Sequence, residues 1–262
     1  MTPVLTMQMT ADELLAAFRL PAESLVGLRV TKKELGERLP TPADRRLVSD
    51  LVESCTWVAV LKPTTCGLAA VRDSEREYTE IAILRLVQRS PEHRPRLHEA
   101  LHRVIPYPVV LISSASTTPA PHLSLAHKRR SAGTTATGFL AGEVVSTDDV
   151  PLVEAFTDSL VVGAGDPADL YACYDGWIAR IEALHIAALT GVWAVPRTSS
   201  DLQRRRSALA TYTALDAERL VLIRRAEVAR QMSARVDCNL AIQALRQRLN
   251  ALLPDLNLEP TP

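Results

Sequence analysis

The sequence predicts an α+β protein with an N-terminal mixed sheet of about five strands and flanking helices, followed by a mostly helical C-terminal part with a coiled-coil-like segment. β-branched and aliphatic runs bounded by turn residues recur in the first half. Apolar residues spaced by threes and fours dominate the second half. Because the pattern changes near Thr147, we predict an α+β domain over residues 1–147 and a helical domain over residues 148–262.

Cap residues and turn residues place the elements of the first half in order. A helix over residues 11–18 takes Thr10 as its N-cap, and a second over residues 42–53 takes Thr41 as N-cap with Pro42 at its first position. A third helix lies between Ser90 and Pro106. Five stretches are typical of strands: "TWVAVLKP", "YTEIAILRLVQ", "YPVVLIS", "HLSLAHKR" and "TGFLAGEVVS".

The second half reads as helices with one continuous apolar seam. Asp166 and Pro167 fit the N-cap and first position of a long helix, and residues 201–253 form either one long helix or a helical hairpin. Asn239 lies on the seam, either as a register-setting polar residue or as an amide facing solvent. The residues expected to bind a partner, or a second copy of the chain, are Met232, Val236, Asn239, Leu245 and Leu249.

Composition excludes several classes of protein. Thirty basic and thirty acidic side chains cancel, so no overall field attracts nucleic acid or an anionic membrane. The four cysteines form no C-x-x-C pair, and no signal peptide or apolar run of about 18 residues occurs. We therefore expect a cytoplasmic protein without a membrane span. The glycines of "VVGAGDPADL" lack the strand and helix context of a dinucleotide site, so no cofactor is expected.

The stretch "LHEALH" contains His98, Glu99 and His102 in the pattern His-Glu-x-x-His. In metalloproteases the two histidines of this pattern bind zinc and the glutamate acts as general base. A zinc site also needs a third protein ligand and an open position for water, and no such ligand is evident in the sequence. We therefore expect an amphipathic surface helix on which Glu99 pairs with Arg103 at i, i+4, and no catalytic residues. Zinc-dependent hydrolysis by His98, Glu99 and His102 stays open as an alternative.

Two basic clusters are candidates for contact with phosphates. They are "HKRR", with Arg129 and Arg130, and "QRRRS", with Arg204, Arg205 and Arg206. Neither is interleaved with aromatic residues, so binding through them would be non-specific and salt-sensitive. A DNA-binding module that uses these arginines is a second alternative.

An ordered set of motifs resembles the bacterial domain-of-unknown-function family 4391. The motifs are "RVTKKEL" (29–35), "WVAVLKPTT" (57–65), "EIAILRL" (80–86), "VIPYPVVLI" (104–112), "DLYACYDGWIARI" (169–181) and "QMSARVDCNLAI" (231–242). The resemblance implies an α+β N-terminal part and a helical C-terminal part. It also implies genes that neighbour helicases and DNA methyltransferases in restriction-like or phage-defence loci. It implies no activity.

These observations favour a protein that acts through contacts with other proteins, because apolar helical stripes become stable only when another helix covers them. We expect a non-catalytic accessory subunit of a bacterial defence or restriction-like assembly. Its partner would be a helicase or a DNA methyltransferase, with DNA contact through the arginine clusters.

Overall fold

Helices and strands alternate through a little more than the first half of the chain, and the described residues after Ser146 form helices and their connections. The computed structural model describes residues 9–129, 139–148 and 150–257. The helices are α1 (Ala11–Ala17), α2 (Lys32–Glu37), α3 (Pro42–Leu51), α4 (Pro63–Cys66), α5 (Arg94–Val104), α6 (Glu154–Asp158), α7 (Leu170–Thr190), α8 (Ser199–Val228) and α9 (Met232–Leu256), with a short 3-10 helix at Ala22–Ser24. The strands are β1 (Leu25–Val30), β2 (Val52–Leu61), β3 (Val71–Arg72), β4 (Glu77–Tyr78), β5 (Ile81–Gln88), β6 (Val109–Ala115), β7 (Thr118–Leu125), β8 (Lys128–Arg129), β9 (Phe139–Leu140) and β10 (Val145–Ser146).

A six-stranded mixed sheet organises the first part of the chain, in the order β1-β2-β5-β6-β7-β10. Strands β5 and β6 are parallel and α5 connects them, whereas every other neighbouring pair in this sheet is antiparallel. The pairs β3-β4 and β8-β9 form separate two-stranded ladders. The predicted α+β class with its mixed sheet is confirmed.

Helices cover both faces of the sheet. On one face, α2, α3 and α5 bury a cluster that includes Val48, Leu86 and Leu101. On the other face, α1 packs against β6, β7 and α6, and the Phe18 ring meets the Trp177 ring of α7 edge to face at 5.2 Å. The sheet is thus buried on both sides, which explains the nearly unbroken apolar runs of β5 and β6.

The chain divides into two compact units, Met1–Leu184 and His185–Pro262, with the division inside α7. The sequence pattern changes earlier, near Thr147. Residues between these two points belong to unit 1 because their apolar side chains, Phe156 and Trp177 among them, are buried in its core. None of the described helices combines the length and the apolarity that crossing a bilayer requires.

Unit 2 contains a helical hairpin, which decides between the two predicted forms of the last region. Leu215 of α8 packs with Leu245 and Leu249 of α9, and Ala208 packs with Leu256. Contacts between the start of one helix and the end of the other mean that α8 and α9 run antiparallel, joined by residues 229–231.

Helix caps follow the sequence in two cases and depart from it in a third. The Thr10 and Thr41 hydroxyls accept backbone N–H groups of Glu13 and Asp44, as predicted. The predicted Asp166 cap of α7 is wrong. Asp166 has a positive φ of 49°, and α7 begins at Leu170, where the Asp169 carboxylate accepts the backbone N–H of Ala172 at 2.8 Å.

Candidate functional site

The two histidines of the His-Glu-x-x-His stretch lie on the buried face of α5. His98 and His102 point to the sheet together with Leu97 and Leu101, and all four are buried. Glu99 lies on the opposite, solvent-facing side, where it forms an ion pair with Arg103. The predicted pairing of Glu99 with Arg103 is therefore confirmed, and Glu99 is not placed to act as general base for a metal at the two histidines.

The two imidazoles have different surroundings. His102 Nε2 is 3.0 Å from the Ser124 hydroxyl of β7, whereas neither ring nitrogen of His98 has a hydrogen-bond partner in the described part of the chain. Burial lowers the pKa of His98 to about 4 and holds the pKa of His102 well below its usual range. Both rings are therefore neutral at pH 7.

A charged network borders His98 at the first turn of α5. Asp148, which follows β10, lies 3.1 Å from the Arg94 guanidinium and 2.9 Å from His122 Nδ1, and it accepts the Ser146 hydroxyl at 3.0 Å. Burial alone would raise the pKa of Asp148, but the close contact with His122 and the bond from Arg94 outweigh it and hold that pKa below its usual range. The network ties α5 to β7 and β10.

In the described part of the chain, these histidines are not joined by further potential metal ligands. Within residues 9–129, 139–148 and 150–257, no group of three or more His, Cys, Asp or Glu side chains converges as metal ligands would. His127, another downstream histidine, turns toward α7 rather than toward α5, with Nε2 3.0 Å from Asp175. The zinc-hydrolase alternative is therefore not supported by the positions of His98, Glu99 and His102.

A Tyr-His-Asp network joins three distant segments and has no signature in the sequence. The Tyr78 hydroxyl is 2.7 Å from His127 Nδ1, and the backbone N–H of Lys128 donates to the same hydroxyl at 3.1 Å. Both ring nitrogens of His127 have partners within the protein, and Tyr78 is fully buried. The arrangement fastens β4 and the segment after β7 to α7.

The arginines of the two basic clusters are placed differently from one another. Arg129 is exposed, and Arg130 lies outside the described residues. Arg204 is exposed and pairs with Asp201 at 3.1 Å, and Arg206 is partly buried. Arg205 is buried, and its guanidinium donates to the backbone carbonyl of Ala194. Arg205 is therefore a structural residue of unit 2 rather than part of a surface that phosphates could reach.

The predicted partner-binding residues fall into two groups. Leu245 and Leu249 are buried against α8, so they are core residues of the hairpin and not partner contacts, which corrects the prediction. Met232, Val236 and Asn239 are exposed. The exposure of Asn239 agrees with an amide facing solvent, and Cys238 takes the buried position beside it.

Exposed apolar side chains concentrate where α8 and α9 meet, and we define residues 220–240 as the hairpin tip. The described part of the chain has thirteen large apolar side chains that are exposed, and six of them lie in the tip. They are Leu220, Val221, Val228, Met232, Val236 and Leu240. Met232, Val236 and Leu240 follow each other at i, i+4 and i+8, so they form one stripe along α9. The tip is the largest such concentration in the described residues and is the candidate functional site.

Fold and site together define a two-unit α+β protein whose exposed apolar surface is concentrated on a helical hairpin. The family model described as Domain of unknown function (DUF4391) matches residues 18–249, so the chain belongs to that family. The match spans the sheet of unit 1 and most of the hairpin, including the tip. Comparison with the curated proteins found no match, and neither did comparison with the solved structures.

Proposed function

We propose that this chain is a non-catalytic interaction subunit that binds another protein through the hairpin tip. The observation that carries the proposal is the concentration of exposed apolar side chains in residues 220–240. Val228 and Met232 are the two most exposed of them, at 78% and 74%. Clustered apolar surface of this kind in a folded protein marks an interaction site more often than single exposed residues do.

The exposed stripe is not needed to hold the hairpin together. Leu215, Leu245 and Leu249 already close the interface between α8 and α9, supported by Tyr212, Leu222 and Leu252. Covering Met232, Val236 and Leu240 would instead remove apolar area from water at about 25 cal/mol per Å². The sequence predicts that the apolar stripe of α9 is covered by another surface, and a partner protein would provide that surface.

Charge indicates what the partner surface looks like. The tip holds four arginines, which are all exposed, against two acidic residues, a net charge of +2. The arginines are Arg224, Arg225, Arg230 and Arg235. Two tips would repel each other, so a second copy of the chain is disfavoured as the occupant. We infer a different protein whose apolar patch is rimmed by acidic side chains.

The resemblance to the family supports a particular setting for this contact. The proposed partner is a helicase or a DNA methyltransferase of a bacterial defence or restriction-like assembly in the cytoplasm. Such partners handle nucleic acid themselves, so an interaction subunit requires no catalytic residues of its own.

Quantitative affinity purification of the full chain from its native host tests the proposal. The tip variant carries Val228→Ser and Met232→Ser, which remove apolar surface without changing charge. The matched control is Val192→Ser, since Val192 is 48% exposed in unit 2 but lies outside the tip. We expect one protein at near-equal amount with the wild type and the control, and its loss with the tip variant. Equal recovery of the same proteins with all three chains would refute the proposal.

Charge reversal in the same experiment separates a protein partner from DNA. Arg224→Glu with Arg225→Glu should weaken binding to either partner. Binding to DNA would survive the two serine substitutions, because phosphates are held by charge and not by apolar contact. DNA retention that depends on the arginines alone would favour the DNA-binding alternative over the proposed function.

A further inference from the structure

A second exposed apolar surface lies in unit 1, on strand β1. Leu25, Val26 and Leu28 are 56%, 50% and 61% exposed. In the described part of the chain β1 is an edge strand of the six-stranded sheet, with β2 as its only neighbour. An edge strand carries unpaired backbone N–H and C=O groups that another extended segment can pair with. The surface therefore offers hydrogen bonds and apolar contact together.

A pocket of about 310 Å³ opens beside this edge, on the face of the sheet that α2, α3 and α5 cover. Its floor is a cross-strand row in which Leu28 lies opposite Trp57, and Trp57 lies opposite Leu84. Its walls include Leu35 of α2 and, at the end of α5, Val104 and Tyr107. The Trp57 and Tyr107 rings are 6.3 Å apart. The pocket is of the size that accepts one large apolar side chain or a small molecule.

The part of β1 that is available to pair with another strand is short. The register with β2 shifts between Leu25 and Leu28, and Gly27 has a positive φ of 66°. A bulge of this kind bends the strand and interrupts regular pairing, which leaves Leu28, Arg29 and Val30 as the regular stretch before α2 begins. A three-residue edge disfavours sheet-to-sheet association of two copies, which needs a long flat edge. It suits a short extended peptide.

Alternation along β1 specifies the side chains of such a peptide. Leu28 and Val30 face the pocket side, because their partners Trp57 and Cys55 belong to that core. Arg29 alternates with them along the strand, borders the pocket, is exposed, and forms no ion pair within the described residues. Residues directly opposite in neighbouring strands interact, and opposite charges stabilise such a pair. A peptide paired with β1 would place an acidic residue opposite Arg29 and apolar residues on either side of it.

We propose that β1 and its adjacent pocket bind an extended peptide segment in which an acidic residue lies between two apolar residues, by addition of a strand to the sheet. One of the apolar side chains occupies the pocket formed with Leu28, Trp57 and Tyr107. This site is independent of the hairpin tip. It gives the protein a second, weaker contact, since few backbone hydrogen bonds can form along three residues.

Selection of random octapeptides displayed against the immobilised full chain tests this inference. We expect the enriched sequences to carry Asp or Glu between aliphatic or aromatic residues. Fluorescence anisotropy with an enriched peptide then measures each variant. Leu28→Asp should weaken binding at least tenfold, whereas Val26→Asp, on the same strand but before the bulge, should leave it unchanged.

Charge exchange gives the sharpest arm of this test. Arg29→Glu should weaken the acid-centred peptide about two- to fivefold and strengthen its lysine-centred counterpart by a similar factor. Failure to enrich any peptide, enrichment without the apolar-acidic-apolar pattern, or an unchanged preference in Arg29→Glu would each overturn the proposal. A dimer that Leu28→Asp dissociates, seen by light scattering, would make a second copy the occupant and would overturn it as well.

Discussion

At the scale of single residues, buried titratable groups make stability depend on pH. His98 is fully enclosed, and burial lowers its pKa from 6.5 to about 4. Between these two values the unfolded chain binds a proton that the folded chain does not bind, so the free energy of unfolding falls as the pH falls. We expect His98→Leu to remove about 2 kcal/mol of the loss between pH 7 and pH 5. Urea denaturation at both pH values measures this, and equal losses in the two proteins would contradict it.

Lys128 shows the same coupling on the alkaline side. Its ammonium group is buried and donates to the carbonyl of Ile105 at 2.8 Å and to that of His102, at the end of α5. Burial lowers the pKa of Lys128 from 10.5 to about 8. Between these values only the unfolded chain carries the proton, so stability rises with pH.

The matched variant for this prediction is Lys128→Met, which keeps an apolar stem without the charge. The free energy of unfolding of the wild type should rise relative to that of the variant by about 2 kcal/mol between pH 7 and pH 10. Urea denaturation of both proteins across this range checks it. Curves that stay parallel would show that the Lys128 ammonium is solvated in the folded state.

Sequence reasoning at this scale succeeds for local pairs and fails for burial. The ion pair of Glu99 with Arg103 follows from i, i+4 spacing alone. The positions of Arg205 and Arg206 do not, because the phase of a helix against its neighbours decides which arginine of an uninterrupted run is enclosed. The contacts of Tyr78 with His127 and of His127 with Asp175 join residues almost fifty positions apart, so no local pattern predicts them.

At the scale of elements, the start of α7 depends on one carboxylate. Asp169 caps the helix, whereas Asp166 lies in the preceding turn with a positive φ. Asp169→Ala should lower the free energy of unfolding by about 1 kcal/mol, the usual effect of losing an N-cap side chain. Asp166→Asn, which tolerates the same backbone conformation, should change it by less than about 0.5 kcal/mol. Thermal unfolding of the two variants measures both effects. Equal destabilisation by the two substitutions would contradict the assignment of Asp169 as the cap of α7.

The hairpin interface is the second element that makes a direct prediction. Leu249 is buried against α8, and Leu240 is 60% exposed on the same helix. Leu249→Ala should destabilise the hairpin by about 2–3 kcal/mol because it leaves a cavity, whereas Leu240→Ala should cost less than about 0.5 kcal/mol. Hydrogen exchange of the α9 backbone amides measures the local stability of the hairpin in each variant. Faster exchange in both variants alike would mean that Leu240 is also part of the interface.

The positions of the helices and strands along the chain were largely predictable, but the face of each helix that is buried was not. Strong caps and apolar periods placed α1, α3, α5 and the main strands to within a few residues. The periodic seam of α9 was also real, but spacing by threes and fours describes two adjacent stripes equally well. The structure buries the stripe through Ile242, Leu245 and Leu249 and leaves the stripe through Met232 and Val236 exposed. Only the packing of α8 distinguishes them.

At the scale of the whole molecule, the described residues of each unit include a cluster of exposed apolar side chains. Unit 1 has the edge strand β1 with its pocket, and unit 2 has the hairpin tip. The order of strands in the sheet, which creates the free edge, could not be predicted from the sequence because it depends on pairing between distant segments. The family match, over residues 18–249, covers both surfaces.

Site-specific photocrosslinking in the native host tests the tip as a docking surface most directly. A photoreactive amino acid replaces Met232 in the tip or, as the control, Leu189, which is 42% exposed in unit 2 outside the tip. We expect a single protein, with an acidic and apolar face, to be crosslinked from position 232, and none from position 189. Crosslinks from both positions to the same proteins, or no protein crosslinked from position 232, would contradict the proposal that the tip is a docking surface.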